Sequence, residues 1–552
     1  MRKLLAVCKR QLRYSPRVTK VGRSYKQTEV DERWDAIVVG SGLGGLASAA
    51  LLSGMGKRVL VLERHYALGG FTHTFKRKGY EWDVGVHYVG EVHRERSVLG
   101  QLFRHITEGE LKWAGMGDVY DRIIFGETEY PFHTGVEPFK QGLRERFPDA
   151  ADGRAIDEYV DAVFAASKAA RSYYAEKAMD GVAGWLAGPF MRRAYLAYTR
   201  KTTDEVLRGI TNNQKLIGVL TGQYGDYGLP PKRSAFAMHA SVAKHYFFGG
   251  NYPVGGSVRF VETIAPKIEA GGGMLLTNAA VEQVVVEGGK AVGVRLEDGR
   301  VLRAPLIISN AGALNTYGRL LPEAERARVG FADALTRIEP SAAHLSLYVG
   351  LNKTAAELKL PKANYWIYPD DYDHDRVLER FIADEAAPLP VAYISFPGAK
   401  DPDFERRHPG RSTIEIITLA PWQRFAKWDG SPWKKRGDDY EAYKARLSER
   451  LLEQLVRVEP QTRDAIAYHE LSTPLSTKHF TAYQTGEIYG LSHDPSRFEG
   501  KFLRPRSPVD GLFLTGQDVV SCGIGAALFS GYLTVSAITG RNVVMEALSG
   551  LS

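Results

Sequence analysis

The fold of this chain is decided by the sequence DAIVVGSGLGG at residues 35–45. The apolar run before Gly40 predicts a buried parallel strand, and Gly40, Gly42 and Gly45 follow it in G-x-G-x-x-G spacing. The first glycine permits a tight turn, the second lets a pyrophosphate approach the backbone, and the third lets a helix pack closely on the sheet. The helix that begins at about Gly44 presents unpaired N–H groups and the positive end of its dipole to that pyrophosphate.

The residues after the turn complete a strand–helix–strand unit in the register that the motif requires. Gly56 ends the predicted helix, residues 59–62 form a second apolar strand, and Glu63 follows that strand directly. A carboxylate at this position accepts hydrogen bonds from a ribose diol, which predicts FAD or NAD rather than NADP. Because an isolated glycine motif is common, the alternative is an incidental strand–turn–helix. The agreement of the downstream residues in register favours dinucleotide binding.

A second glycine pair favours FAD over NAD. Gly69 and Gly70 follow Glu63 closely, and backbone N–H groups there can reach a second phosphate. Further on, the sequence DVGVH occupies residues 83–87. On these features the chain resembles the flavoprotein family of phytoene desaturases, carotenoid isomerases and retinol saturases, and the retinol saturase branch is the most similar. Members of that family share the extended glycine fingerprint, the glycine pair and an Asp-x-Gly-x-His segment.

The resemblance extends along most of the chain. NYPVGG at 251–256 is similar to the family's Tyr-Pro-x-Gly-Gly turn, and SNAG at 309–312 is similar to its second nucleotide-domain wall. LFLTGQD at 512–518 and SCGIGAA at 521–527 resemble its closing flavin motif. The fingerprint and the resemblance together assign to FAD the residues Gly40, Gly42, Gly44, Gly45, Glu63, Arg64, Gly69, Gly70, Asp83, Gly85, His87, Val281, Asn310, Ala311, Gly516, Asp518, Gly525 and Ala526.

The closing motif also has a physical interpretation of its own. A strand that ends before Gly516 brings Asp518 to the carboxyl edge of a sheet, where its carboxylate can bind ribityl hydroxyls. Gly523 and Gly525 then open a helix whose N-terminus points at the N1–C2=O edge of the flavin. That edge becomes anionic on reduction, so the helix dipole stabilises the reduced form. The alternative is an ordinary turn in which Asp518 caps a helix.

The predicted fold class is α/β, with a Rossmann-type FAD-binding domain of the glutathione-reductase-like nucleotide fold interleaved with a substrate domain. The substrate domain combines a β-sheet and a helical cap. Strands are expected at 344–351, 365–368, 392–396 and 414–419, a hairpin at 277–286 and 291–296, and a long helix at 440–456. The predicted parts are a basic arm at 1–33, an FAD-binding domain at 34–100, 251–330 and 491–552, a helical cap at 101–250, and a substrate-binding sheet domain at 331–490.

Composition is typical of a water-soluble globular protein, since 44% of the 552 residues are hydrophobic and 25% are charged. The two cysteines, Cys8 and Cys522, argue against a disulfide scaffold and suit a reducing cytoplasm. Cys522 is either a small packing residue or a redox-active thiol. The longest apolar runs fall short of the roughly 18–20 residues that span a bilayer. We therefore expect a cytoplasmic protein, with membrane association left open.

Two features carry positive charge. Every charged residue before Glu29 is a lysine or arginine, which predicts a solvated tail or, alternatively, a contact with anionic lipid. The chain has no recognisable nucleic-acid-binding module, so nucleic acid is not an expected partner. The apolar sequence GVAGWLAGPFM at 181–191, followed by Arg192 and Arg193, suits either a membrane-contacting element or packing between cap helices.

The electron partner is left open by the sequence. The glycine-rich stretches at 224–228 and 270–273 lack the strand before and helix after that a second dinucleotide motif needs. A dedicated nicotinamide domain is therefore not expected. The remaining routes are a quinone or reduced protein partner, a transiently bound NAD(P)H, or a redox-neutral isomerisation on reduced flavin.

The resemblance implies flavin redox chemistry on a conjugated apolar lipid, retinoid- or carotenoid-like, most simply saturation of a C=C bond. Desaturation and redox-neutral cis–trans isomerisation are alternatives on the same scaffold, and a flavin-bound lipid carrier is a third. Amine or sterol oxidation is a further alternative, although residues 521–524 offer none of the C-terminal aromatics that amine oxidases carry beside the flavin. No metal site is predicted. The candidate proton donors are His87, Tyr88, Tyr246 and Tyr252.

Overall fold

The computed structural model describes residues 21–179 and 181–550 as a mixed α/β structure with several sheets. Within these residues the strands are β1 (Arg23–Ser24), β2 (Ala36–Val39), β3 (Val59–Leu62), β4 (Thr74–Arg77), β5 (Tyr80–Asp83), β6 (Val89–Gly90), β7 (Trp113–Gly115), β8 (Val119–Phe125), β9 (Thr128–His133), β10 (Gly250–Pro253), β11 (Met274–Thr277), β12 (Val281–Glu287), β13 (Lys290–Leu296), β14 (Val301–Arg303), β15 (Ile307–Ser309), β16 (Ala343–Leu351), β17 (Asn364–Tyr368), β18 (Ala392–Ser395), β19 (Ser412–Ala420), β20 (Ile466–Ser472) and β21 (Leu512–Leu514).

The helices of the same residues are α1 (Leu43–Gly54), α2 (Val98–Ile106), α3 (Val136–Arg146), α4 (Ala150–Lys177), α5 (Gly181–Thr199), α6 (Thr203–Ile210), α7 (Gln214–Leu220), α8 (Phe236–Tyr246), α9 (Arg259–Ala270), α10 (Ala313–Asn315), α11 (Glu323–Val329), α12 (Ala332–Thr336), α13 (His374–Ala383), α14 (Pro397–Lys400), α15 (Phe404–Arg407), α16 (Asp438–Val458), α17 (Pro474–Thr481), α18 (Pro495–Glu499), α19 (Ile524–Thr539) and α20 (Val543–Ser549).

A six-stranded parallel sheet in the order β1-β11-β3-β2-β15-β21 carries the predicted nucleotide unit. Strands β2 and β3 are completely buried, as expected for the central strands of a parallel sheet covered on both faces. They pair from Ala36 with Val59 to Val39 with Leu62. The sheet collects strands from distant parts of the sequence, which confirms the Rossmann-type, interleaved fold class.

A seven-stranded sheet in the order β20-β16-β19-β18-β17-β8-β9 forms the second layer. Its pairs are antiparallel except for the parallel pair β17 and β8. One face shares a core with helices α4, α7 and α8, and the other packs against α16. The strands expected between 344 and 419, the long helix near 440–456 and the hairpin turning at Gly288-Gly289 are all confirmed.

The segment 101–250, predicted to be helical, departs from that expectation over Trp113–His133, which forms β7, β8 and β9. Strands β8 and β9 pair as a hairpin from Phe125 opposite Thr128, with Gly126 at φ +57 in the turn. The runs VYDRIIF and TEYPFH are rich in β-branched and aromatic residues, which favour strands. The cap region thus supplies two strands to the substrate-side sheet.

The first part of the basic arm, residues 1–20, lies outside the described residues. Arg23 and Ser24, which also belong to the predicted arm, add an edge strand to the nucleotide sheet by pairing with Leu276 and Thr277. A sheet edge offers unpaired N–H and C=O groups, so even a two-residue strand can attach there. In the part of the chain that the structure covers, none of the helices is both long enough and apolar enough to cross a bilayer.

Candidate active site

A cavity of about 2170 Å³ is lined by residues of the nucleotide sheet, the cap helices and the seven-stranded sheet. Ligand pockets usually measure about 300–1,000 Å³, so this cavity has room for an extended dinucleotide together with a second ligand. The lining residues assigned to FAD from the sequence are Gly40, Gly42, Gly44, Glu63, Arg64, Gly69, Gly70, Gly85, His87, Val281, Asn310, Ala311, Gly516, Gly525 and Ala526.

The first glycine turn is packed so closely that side chains are excluded. Gly40 lies at φ +96, and a Cβ on Gly45 would lie 2.3 Å from the carbonyl oxygen of Gly40. Gly45 therefore faces strand β2, as its predicted role in helix–sheet packing requires. Unlike Gly40 and Gly42, it does not line the cavity. A Cβ on Gly42 would lie 2.7 Å from Nδ2 of Asn310. These contacts leave the N-terminus of α1 open toward the cavity.

Glu63 follows β3 and is tied to the turn by Ser41, which the sequence interpretation missed. One Glu63 carboxylate oxygen accepts hydrogen bonds from the Ser41 amide at 2.9 Å and the Ser41 hydroxyl at 2.8 Å. The other oxygen accepts from the His65 amide at 2.9 Å. Gly69 N–H in turn donates to Ser41 Oγ at 2.9 Å. A serine between the two motif glycines was the available signal, since its short side chain reaches both neighbouring loops.

The glycine pair lies next to the first turn. Gly69 and Gly70 have φ values of +113 and +56, and a Cβ on Gly70 would lie 3.0 Å from Cα of Gly42. Both glycines line the cavity. The two glycine segments therefore form a continuous wall of exposed backbone, as a diphosphate requires.

The closing motif completes the same wall from the C-terminal side. Gly523 precedes α19, and the first residues of that helix, including Gly525 and Ala526, line the cavity. Gly516 lies at φ +95, where a Cβ would be 2.5 Å from Oδ1 of Asn310. The positive end of the α19 dipole thus faces the cavity.

Asp518, the acid assigned to FAD from the closing motif, lies behind the cavity wall. Its carboxylate is 3% exposed and does not line the cavity. It accepts hydrogen bonds from the Ala313 amide at 2.7 Å and the Leu491 amide at 3.0 Å, and it lies 3.5 Å from Nη1 of Arg497. The turn after β21 therefore directs the side chain inward, where it joins three chain segments, and the binding of ribityl hydroxyls by Asp518 stays a prediction.

Asp83 and Tyr252 also lie outside the cavity lining. The Asp83 carboxylate accepts from the Ser257 amide at 3.0 Å and from the hydroxyl groups of Ser257 and Tyr252. Burial, with the nearby Glu415, raises the pKa of Asp83 to about 8. These contacts fasten the 83–87 segment to the turn at 251–256. Asp83 is thus a structural anchor, and Tyr252 is directed at Asp83 rather than at the cavity.

His87 lines the cavity as a neutral imidazole. Burial lowers the pKa of His87 to about 3, and its Nδ1 lies 3.3 Å from Oε2 of Glu415. Burial raises the pKa of Glu415 to about 8 and lowers the pKa of Lys400 to about 7. The Lys400 ammonium donates to the His87 carbonyl at 2.9 Å and to Ser395 Oγ at 2.8 Å. The wall beside His87 is therefore held by groups that carry little net charge at neutral pH.

Tyr88 and Tyr246 line the cavity together, with ring centroids 4.0 Å apart and planes 7° from parallel. The Tyr88 hydroxyl oxygen lies 2.9 Å from Oδ2 of Asp121 and 3.2 Å from Oδ2 of Asp226, within hydrogen-bond distance of both. Gln223 Nε2 also donates to Asp121, at 2.7 Å. The sequence interpretation missed both aspartates, since residues that distant in the chain leave no local pattern.

Cys522 lines the cavity at the closing motif. Burial raises the pKa of its thiol, so the group stays protonated and is a poor nucleophile. Its Sγ lies 3.4 Å from the carbonyl oxygen of Asp226. This environment favours the packing interpretation over a redox-active thiol. Among the described residues, no group of three or more His, Cys, Asp or Glu side chains is arranged to hold a metal ion.

Comparisons with known proteins agree with this geometry. A family model described as flavin containing amine oxidoreductase matches residues 43–539. Human all-trans-retinol 13,14-reductase is 36% identical over 543 residues, which are 95% of this chain and 88% of that protein. The chloroplastic prolycopene isomerase of Arabidopsis thaliana is 27% identical over 91% of this chain and 82% of its own. A putrescine oxidase structure with bound putrescine, 16% identical, superimposes with a TM-score of 0.61, covering 92% of this chain and 99% of that one.

Proposed function

This chain belongs to the flavin containing amine oxidoreductase family and is a flavin-dependent oxidoreductase, and on that premise we propose that it saturates a C=C bond of a conjugated apolar lipid. The observation that carries the proposal is the 36% identity to human all-trans-retinol 13,14-reductase over 95% of the chain. The large cavity, with the FAD-type glycine wall on one side and aromatic residues on the other, supports it. A retinoid- or carotenoid-like polyene is the proposed substrate class.

The residues present fit FAD. The backbone at Gly42, Gly70 and Gly516 lies where any side chain would collide with its neighbours, which leaves peptide N–H groups for the diphosphate. Glu63 lies at the end of β3 for the adenosine ribose, and the N-terminus of α19 would face the ring system. Reduced FAD supplies a hydride to one carbon of the double bond when it is bound.

The chain's own residues orient the substrate, exclude water and hold a proton. Phe71, Tyr348, Trp366 and Tyr393 line the cavity and suit a flat, rigid polyene. The proton that the second carbon needs is held at the hydroxyl of Tyr88, the cavity tyrosine with two carboxyl partners. His87 has a lowered pKa and is neutral at working pH, so we assign it to positioning.

The test is conversion of a defined polyene. The flavin-loaded protein is reduced anaerobically with dithionite and mixed with all-trans-retinol or a carotenoid, and the product is analysed by mass spectrometry. A product heavier by two hydrogens supports saturation. A product of unchanged mass but altered double-bond geometry would instead identify an isomerase. The similarity to prolycopene isomerase is the reason for testing this alternative. Reduced flavin that is not reoxidised, together with a polyene recovered with unchanged mass and unchanged double-bond geometry, would contradict both and favour the lipid-carrier alternative.

The electron donor is a second proposal. We propose that a transiently bound NAD(P)H or a quinone, rather than a resident nicotinamide, exchanges electrons with the flavin. The cavity's volume, well above that of a single-ligand pocket, supports a visiting partner. Anaerobic titration of the bound flavin with NADH, NADPH and a reduced quinone would identify the donor by bleaching of the flavin absorbance. Bleaching by none of the three would leave a reduced protein as the donor class.

Membrane contact is a third proposal, favoured by one face of α5. Leu186 and Phe190 are 58% and 80% exposed, whereas Tyr195 on the same helix is buried. The groove beside Phe190 is rich in cations, as an anionic lipid surface requires. It is lined by Pro189, Arg192, Arg193, Leu196, Arg200 and Lys501.

Flotation with phosphatidylserine vesicles tests the contact. We expect Phe190→Ser combined with Leu186→Ser to reduce the floated fraction. Ile382→Ser, which removes an exposed apolar side chain (52%, against 58% for Leu186) from α13, serves as the control and should change nothing. Equal flotation of all three proteins would contradict the proposal.

A further inference from the structure

We infer that Asp226 is the proton reservoir of the reaction and that it recharges the Tyr88 hydroxyl, which delivers the proton to the substrate carbon. The inference rests on the proposed function and deepens it. Nothing in the motifs of the sequence marks Asp226. Its assignment comes from its position beside the closing flavin motif and its contact with Tyr88.

The turn that carries Asp226 is fixed from two sides. Tyr224–Asp226 forms a single 3-10 turn after α7. The Cys522 thiol approaches the Asp226 carbonyl at 3.4 Å, and the Tyr489 hydroxyl donates to the Gly225 carbonyl at 2.9 Å. Asp226 lines the cavity, as do Cys522 and Tyr489. The carboxyl group is therefore held beside the loop that opens α19, the helix assigned above to the flavin ring system.

The carboxyl group of Asp121, which also lies beside Tyr88, keeps Asp226 protonated. Tyr88 Oη lies 2.9 Å from Asp121 Oδ2 and 3.2 Å from Asp226 Oδ2, so one phenol bridges two buried acids. Two carboxylates that close in a buried site cannot both ionise without strong repulsion. Burial and the charge of Asp121 raise the pKa of Asp226 well above its ordinary value, and burial raises the pKa of Asp121 to about 7.

Among the described residues that influence the charge of Asp226, none is a cation in direct contact with it. The groups around it, apart from Asp121, are uncharged. They are the phenols of Tyr88, Tyr246, Tyr368, Tyr393 and Tyr489 and the thiol of Cys522, whose pKa values are all raised by burial. Each is neutral when protonated. Asp121 is linked through Asn364 to the buried Lys400, whereas Asp226 is not. Because of this asymmetry, Asp121, which the lysine stabilises as a carboxylate, is the first of the two acids to ionise. The proton then remains on Asp226.

A further tyrosine of the cavity lies close to His87. The hydroxyl of Tyr393 is buried and has no hydrogen-bond partner among the described residues, and the ring lines the cavity. Buried hydroxyl groups are normally satisfied, so the Tyr393 hydroxyl needs a partner that the described residues do not supply. The Tyr393 ring lies 5.3 Å from that of His87 and 4.5 Å from that of Trp366. His87, Tyr393 and Asp226 therefore line the same cavity.

The proton balance follows from these contacts. The O–H bond of Tyr88 breaks as a C–H bond forms at the substrate carbon that receives the proton. The phenolate oxygen then takes the proton of the Asp226 carboxyl group, which leaves Asp226 as a carboxylate until solvent reprotonates it at product release. The neighbouring carbon takes the hydride that reduced flavin supplies, so each double bond consumes one hydride and one proton.

The first test is Asp226→Asn in the flavin-loaded protein. A general acid contributes about 10²–10⁴-fold, so we expect single-turnover saturation to slow by at least about 100-fold while the flavin content stays unchanged. The infrared spectrum at pH 7 should lose one protonated-carboxyl C=O band. Asp375→Asn is the matched control, because Asp375 is a buried acid with its pKa raised to about 6 that does not line the cavity.

A second variant guards against a folding failure. Tyr88→Phe keeps the ring that stacks on Tyr246 and removes only the hydroxyl, and it should slow turnover to a similar extent. Wild-type turnover by either variant, or an unchanged carboxyl band in Asp226→Asn, would overturn the inference. Failure of the wild-type protein to saturate any polyene would instead refute the proposed function, so the two failures are distinguishable.

Discussion

Replacing Gly45 with alanine tests whether close packing of α1 on β2 is what opens the dinucleotide site. The new Cβ would lie 2.3 Å from the Gly40 carbonyl oxygen, 3.1 Å from Val38 Cγ1 and 3.2 Å from Asn310 Cβ. Ordinary contacts begin at 3.4 Å, so the first turn of α1 must retreat by about 1 Å. No side-chain rotation relieves the clash, because its partner is backbone.

The size of the effect follows from two opposing contributions. Overpacking in a closely packed region costs about 1–3 kcal/mol. Alanine is favoured over glycine inside a helix by about 0.5–1 kcal/mol, which offsets part of that cost. We therefore expect a net loss of about 1–2 kcal/mol in the free energy of unfolding. A retreat of about 1 Å also weakens hydrogen bonds from the helix N-terminus, each worth about 0.5–1.5 kcal/mol, so FAD should bind about tenfold more weakly.

The assay compares Gly45→Ala with Gly54→Ala at the other end of the same helix. A Cβ on Gly54 would meet only Lys267 Cε, at 3.6 Å, so this control should keep wild-type stability or gain slightly. Thermal unfolding is measured on the apo and FAD-loaded forms, and the Kd for FAD by quenching of flavin fluorescence. Indistinguishable melting temperatures and Kd values for the two variants would refute the reasoning.

Two further predictions concern buried carboxyl groups. Asp518→Ala leaves Arg497 without its buried partner, and unfolding measurements should show a loss of about 3–5 kcal/mol, against less than about 1 kcal/mol for Glu546→Gln, which breaks an exposed pair with Arg541. Similar losses for both would contradict the anchoring role. Asp121 holds its proton to about pH 7 in the folded protein but releases it near 3.8 when unfolded, so its contribution to stability falls as pH rises through that window. Asp121→Asn should flatten the decline of Tm between pH 4 and 7, and an unchanged slope would show that the raised pKa is not realised.

The nucleotide half could be predicted from the sequence because its signals are local. Strand, glycine turn, helix and acid follow one another within residues 35–63, and each element depends on near neighbours. The hairpin of β8 and β9 was missed although its β-branched and aromatic residues favour strands, because the whole segment 101–250 was interpreted as helical. The Tyr88 and Asp226 pair, separated by 138 positions, could not be inferred, since contacts of that range are decided by tertiary packing. For Asp518 the residue was noticed but its direction was not, because a strand end does not reveal which way the following turn points.

The parallel sheet that contains β2 is completed only by β21, and α19 then packs against α1, where a Cβ on Gly531 would lie 2.6 Å from Cβ of Ala47. During synthesis on the ribosome, the face of α1 that packs against α19 and the edge of β15 that pairs with β21 therefore stay uncovered until hundreds of later residues have been made. Unpaired edges and apolar faces of that kind are what chaperones shield and what aggregates. A chain interrupted before Leu512 would emerge with most of its strands made but the sheet unclosed, so premature termination near the end should yield insoluble protein rather than a weakened enzyme.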